Sequence, residues 1–186
     1  RHLPKPAIMT LKESAKDRRH THVLLRGDFK MKGDQVEQAT PKVLNLFEVP
    51  DQEAAPNRLD LAKWIVHDDN PLTARVAVNH VWKHLFGEAI VRTMDDFGVQ
   101  GDPPTHPELL DQLAVDFRGR GWSRKQLIRR IVLSSAYRQA SHHRSELHSI
   151  DPDNRLLARQ RRFRVESEIV RDVSLTASGL LCRTTG

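Results

Sequence analysis

Beyond residue 57 the apolar residues recur at three- and four-residue intervals, and most of these stretches open on a residue suited to cap a helix. Asn57 is placed to cap a helix that runs through Asp68, with Leu61, Ala62, Ile65 and Val66 inward. Asn70-Pro71 is a cap followed by proline at the first helical position. Leu72, Val78, Val81, Trp82 and Leu85 then form one apolar face, which Gly87 ends. Glu88 to Pro104 has no such period and reads as a long irregular stretch. Thr105-His106-Pro107-Glu108 has the spacing of a capping box before Leu109, Leu110, Leu113, Ala114 and Phe117. After Gly119 and Gly121, Ser123 and Gln126 start a helix with Leu127, Ile128, Ile131 and Val132 inward. Asp151-Pro152 starts a short helix. A last helix is expected from about Arg164 to Leu181, with Val165, Ile169, Val173, Ala177 and Leu180 on one side.

The first 56 residues differ. Residues 1–21 are basic and polar and read as a strap or linker. His22-Val23-Leu24-Leu25-Arg26 is β-prone, Gly33-Asp34 has turn chemistry before Gln35-Val36, and Val43-Leu44-Asn45-Leu46 follows Pro41. Pro50 to Pro56 is a polar loop. The pattern predicts a mainly α protein: a strap and hairpin-like section over residues 1–56, then a multi-helix domain over 57–186.

Composition narrows the function classes. Hydrophobic residues at 38% suffice for a core, and no stretch nears the eighteen apolar residues of a membrane span. The net charge of +6 permits polyanion contact, but 24 acids are mixed among 30 bases, as on an ordinary charged surface. The single cysteine, Cys182, allows neither an intrachain disulfide nor a thiolate metal cluster. Both ends of the chain read as cuts from a larger protein.

The candidate chemistry is sparse. Asp95, Asp96 and Asp102 lie in the irregular stretch and His106 and Glu108 just after it, a carboxylate–histidine group that can serve acid–base catalysis. Arg75 and Asn79 share a helix face with Lys83; set against the Asp95–Asp96 loop, Arg75 would form an ion pair or hold a ligand anion. His80 and His84 have the four-residue spacing of a shared metal, but no third ligand is apparent and no metal site is assigned. Arg159, Arg161, Arg162 and Arg164 form one basic run; Arg124, Lys125, Arg129 and Arg130 form another. Either can meet phosphate or sulfate, and Arg161 and Arg162 are the assigned ligand-binding pair. With aromatics at 5%, a nucleic-acid platform is a poor fit. Arg26-Gly27-Asp28 spells an adhesion triplet that a strand end and turn explain equally well.

Longer motifs carry a resemblance. They include Asn57-Arg58-Leu59-Asp60-Leu61-Ala62-Lys63-Trp64, Asn70-Pro71-Leu72-Thr73-Ala74-Arg75, Trp82-Lys83-His84-Leu85-Phe86-Gly87 and Asp95-Asp96-Phe97-Gly98. Thr105-His106-Pro107-Glu108-Leu109-Leu110-Asp111, Tyr137-Arg138-Gln139 and Asp151-Pro152-Asp153-Asn154-Arg155-Leu156-Leu157-Ala158 continue them. Together these resemble the planctomycete-specific C-terminal domain known as domain of unknown function 1553. The resemblance implies a large secreted or periplasmic protein with another uncharacterised domain upstream and often a c-type cytochrome module. It implies no cofactor in this chain: any haem sits on another segment, since Cys-x-x-Cys-His is absent. His80 stands where the family often has arginine. Three readings follow. The first is an accessory or interaction module whose partners are the other domains of its parent protein. The second is an enzyme domain acting on extracellular carbohydrate, and the third a module binding an extracellular polysaccharide or other polyanion.

Overall fold

The computed structural model describes residues 20–44, 56–142 and 144–182. The chain divides into two compact units, residues 1–73 and 74–186. The protein is mainly α. None of its described helices is long and apolar enough to cross a membrane.

In the first unit, β1 (Thr21–Leu24) pairs antiparallel with β2 (Lys32–Val36), Thr21 opposite Val36 and His22 opposite Gln35. The register slips between His22 and Leu24, where the ladder is irregular. Gly33-Asp34 is not the turn, as the sequence suggested; both residues lie inside β2. The reversal occupies Leu25 to Met31, where Arg26 and Gly27 take positive φ and Leu25 N–H donates to Met31 C=O at 2.9 Å. Arg26-Gly27-Asp28 is therefore turn geometry, the tightness of which needs two left-handed residues. Residues 1–19 of the strap expected over 1–21 and the stretch Asn45 to Ala55 lie outside the described residues, while Thr21 already begins β1.

α1 (Arg58–Ile65) opens on a complete capping box. Asn57 Oδ1 accepts from Leu59 and Asp60 N–H, and Asp60 Oδ2 accepts from Asn57 N–H at 3.0 Å. The helix stops at Ile65, short of the expected Asp68, and Val66 no longer has helical geometry. Its expected inward residues Leu61, Ile65 and Val66 are exposed. Asn70 holds the next start: its Oδ1 accepts from Leu72 and Thr73 N–H at 3.0 and 3.3 Å, ahead of α2 (Thr73–Phe86).

The core belongs to the second unit. It joins Ala74, Val78, Trp82 and Phe86 of α2 to Leu110, Leu113, Ala114 and Phe117 of α3 (Pro107–Gly119) and to Leu127 and Ile131 of α4 (Arg124–Val132). Trp82 and Phe86 stack at 4.1 Å between centroids, one turn apart on α2, and Tyr137 meets Phe86 edge-on at 5.4 Å. α3 ends in two left-handed residues, Gly121 and Trp122. The Trp122 amide returns to Phe117 C=O at 2.9 Å while its indole packs edge-on against the Phe117 ring.

Two expected capping boxes are unmade or half-made. Thr105 does not cap α3; His106 holds that position without a side-chain bond. Thr105 is used elsewhere: its N–H donates to Ile90 C=O at 3.0 Å and its hydroxyl lies 2.9 Å from His106 Nδ1. Ser123 does cap α4 through Gln126 N–H, but the Gln126 side chain accepts from Arg120 rather than closing the box. Two short helices follow that the pattern does not show, α5 (Ser135–Arg138) and α6 (Ser145–His148). The expected helix after Asp151 is instead a run of turns, because Asp151 accepts from Arg155 and Leu156 N–H at 2.7 Å each and holds the chain in a loop. The last helix, α7, is shorter than expected, Ser167–Ala177, and none of its residues is buried.

Candidate functional site

The irregular stretch after α2 is built as part of the core. Ala89, Ile90 and Val91 are all buried. Asn79, fully buried on α2, pairs with Val91 as a strand neighbour would: its amide donates to Val91 C=O and accepts from Val91 N–H, both at 2.9 Å. Residues 89–91 thus pack into the core, while the rest of the stretch lies nearer the surface. Asn79, a candidate ligand contact, spends both ends of its amide on this backbone.

Asp95 and Asp96 lie in a self-bonded turn just beyond. Asp96 Oδ1 accepts from Gly98 N–H at 2.7 Å, its C=O accepts from the Thr93 hydroxyl at 2.8 Å, and that hydroxyl accepts from Asp102 N–H at 2.9 Å. Gly101 closes the turn where a Cβ would stand 2.2 Å from Asp96 C=O, so only glycine fits. Asp95 is exposed. His106 takes a different setting: with Thr105, Glu88 and Arg155 it lines a cavity of about 20 Å³, room for roughly one water. Among the described residues no hydrogen bond or ion pair joins Asp95, Asp96, His106 and Glu108 to one another. The carboxylate–histidine group of the sequence is not drawn together.

Arg75 does make an ion pair, and the partner seen is Asp111 of α3 at 2.6 Å, where the sequence suggested the Asp95–Asp96 loop. The physical reason is register. The apolar faces of α2 and α3 share one core and leave these two side chains, both partly exposed, within reach of each other; such a pair contributes roughly 0–1 kcal/mol. His80 and His84 are exposed, and the described residues hold no group of three His, Cys, Asp or Glu side chains arranged for a metal ion.

The two basic runs fare differently. In the first along the chain, Arg124 to Arg130, Arg130 pairs with Asp116 of α3 at 2.6 Å, and Asp116 also holds Arg120, outside the run, at 2.8 Å. Hydrogen bonds from Arg120 and Arg130 hold the Asp116 carboxyl below the ordinary carboxylate range. In the second, Arg161 pairs with Glu88 at 3.0 Å and Arg162 Nε donates to Ser141 Oγ at 3.1 Å. These arginines line a cavity of about 380 Å³ together with Arg159, Ser141, Asn154 and Gln160. Arg161 and Arg162 were legible from the sequence. Ser141, Asn154 and Gln160 were not, because the bonds that assemble them span turns with no periodic signature. Haem attachment through Cys-x-x-Cys-His has no residues to use, since Cys182 is the sole cysteine.

A family model described as PSD1, protein of unknown function (DUF1553), matches residues 57–186, which takes in every described α-helix. Comparison with curated proteins and with solved structures gives no match.

Proposed function

Since the chain belongs to the PSD1 family of proteins of unknown function (DUF1553), its role must be inferred from its own surfaces, and we propose that it is an accessory interaction module of a larger secreted or periplasmic protein. The observation that carries this reading is α7. Its apolar residues follow a helical period, yet Ile169, Val170 and Val173 stay 45%, 54% and 62% exposed, and Val165 and Leu180, just outside the helix, are open as well. An eleven-residue helix is marginal alone in water, and tertiary cover of its apolar face is what stabilises it. Contiguous exposed apolar surface of this kind marks a place of contact.

The occupant is a neighbouring folded domain of the same polypeptide, of the kind that accompanies this domain in planctomycete cytochrome-containing proteins; any haem belongs to such a neighbour. The enzyme reading draws less support, because Asp96 is held in its own turn and His106 against Thr105, while Asp95 and Glu108 are exposed and no bond among the described residues brings the four together. Hydrogen exchange over residues 167–177 tests the proposal, measured in this chain and in the full-length polypeptide. Protection is expected to rise at least tenfold in the longer protein. Equal exchange in both, or protection that grows with the concentration of the isolated chain through self-association, overturns it.

A further inference from the structure

The cavity beside the 151–162 loop combines three features that seldom coincide by packing alone: an excess of guanidinium charge, a backbone held in place before any ligand arrives, and polar groups of both kinds around it. Arg159, Arg161 and Arg162 line it against one carboxylate, Asp153. Arg161 has Glu88 as partner, but Glu88 is shared with Arg92 at 3.4 Å. Among the described residues Arg162 meets only the neutral Ser141 hydroxyl, and the Arg159 guanidinium meets no carboxylate.

The scaffold under Arg159 is rigid for a loop. Asn154 is buried in the left-handed conformation, and its amide holds Arg159 at both ends, donating to the C=O at 2.8 Å and accepting from the N–H at 3.2 Å. Gln160 N–H donates to Ala140 C=O at 3.1 Å, Gln139 Nε2 donates to Leu157 C=O at 2.7 Å, and the Arg144 guanidinium donates to Ala158 C=O. Arg159 therefore projects from fixed backbone, and binding there need not order the loop first.

We infer that this cavity binds an oxyanion ester, a phosphate or sulfate group carried on a small hydroxylated body such as a single sugar. The guanidinium fork matches the oxyanion. The volume lies at the lower end of the roughly 300–1,000 Å³ typical of small-molecule sites, and exceeds what a bare oxyanion fills. Ser141, Asp153 and Gln160 suit the hydroxyls; the Gln160 Oε1 is buried and makes no hydrogen bond among the described residues. A long polyanion fits less well. It would need a continuous cationic track, and in the other basic run Arg130 is tied to Asp116.

Isothermal titration at low salt with inorganic phosphate, a hexose 6-phosphate, a hexose 6-sulfate and the plain hexose tests this inference. At least one ester is expected to bind one-to-one and at least tenfold more tightly than the plain hexose; which ester wins separates phosphate from sulfate. Arg159→Gln is expected to weaken that binding at least tenfold and Arg159→Lys by less, since lysine keeps the charge and loses the fork. Arg124→Gln, in the other run, is expected to change it less than twofold. Thermal unfolding of each variant checks folding, with Arg162→Gln in reserve if Arg159→Gln fails to fold. No saturable ester binding, equal binding of the plain hexose, or equal losses in Arg124→Gln and Arg159→Gln overturns the inference. It stands apart from the covering of α7, which involves other residues.

Discussion

α3 and α7 carry nearly the same message in sequence and meet different fates. Both repeat apolar residues at helical spacing, and both fold as helices of similar length, Pro107–Gly119 and Ser167–Ala177. α3 buries Leu110, Leu113, Ala114 and Phe117, whereas α7 buries nothing. The difference lies in their neighbours. α3 is followed by a tight reversal that lays α4 against it, and α2 closes its other flank. α7 follows a long loop stitched by side-chain bonds to residues 139–144, which fixes the loop but brings no apolar face to the helix. Helical period specifies a face that needs cover. It does not specify that the cover lies within the same chain.

Mutations can break or sharpen this contrast. The largest effect is expected at Phe117, only 4% exposed and packed edge-on against Trp122. Phe117→Ala should cost about 3–5 kcal/mol in urea unfolding. Next comes Asn79→Ala, which asks whether the irregular stretch counts as core. It strands the buried N–H and C=O of Val91, at about 1–2 kcal/mol for each, the lower part of the usual penalty for an orphaned buried group, so a loss of about 2–4 kcal/mol is expected by the same measurement. A loss below roughly 0.5 kcal/mol, the ordinary surface value, would return the segment to the surface.

The Asp116 cluster on the outer side of α3 gives a pH signature instead. Its carboxyl is held below the ordinary value by Arg120 and Arg130, so its contribution to stability is complete above the unfolded pKa of about 3.9. That contribution fades as pH falls through the lower folded value. Asp116→Asn should therefore reduce stability near neutrality and flatten its decline below about pH 4, as read by thermal midpoints across that range. The smallest effect belongs to α7. Val173→Ser is expected to move the stability of this chain by less than about 0.5 kcal/mol, and a loss near that of Phe117→Ala would mean that α7 is covered within the chain.

How far the site could be read in advance follows from the same physics. Arg161 and Arg162 stood out as a basic run, and the structure puts both on the cavity wall. Asp95, Asp96, His106 and Glu108 stood out as a reactive set because they are close in sequence. A turn closed by Gly101 keeps Asp96 on its own amides, while Thr105 draws His106 toward Ile90 and the core. Sequence proximity in a loop does not predict convergence, because each turn there reverses the direction in which the next side chain points.

Local chemistry alone determined the mainly α character, the starts of α1, α2 and α4, and the apolar faces of α2 and α3; on α4 it set Leu127 and Ile131 inward, whereas Ile128, expected beside them, is 40% exposed. Caps and helical spacing act over a few residues and are written there. Tertiary structure decided the use of Thr105, the partner of Arg75, the burial of Asn79 against Val91, the unclothed face of α7 and the arginine-lined cavity. Each of these depends on which backbone groups at distant positions are left without a partner once the helices have packed, and no local pattern encodes that remainder.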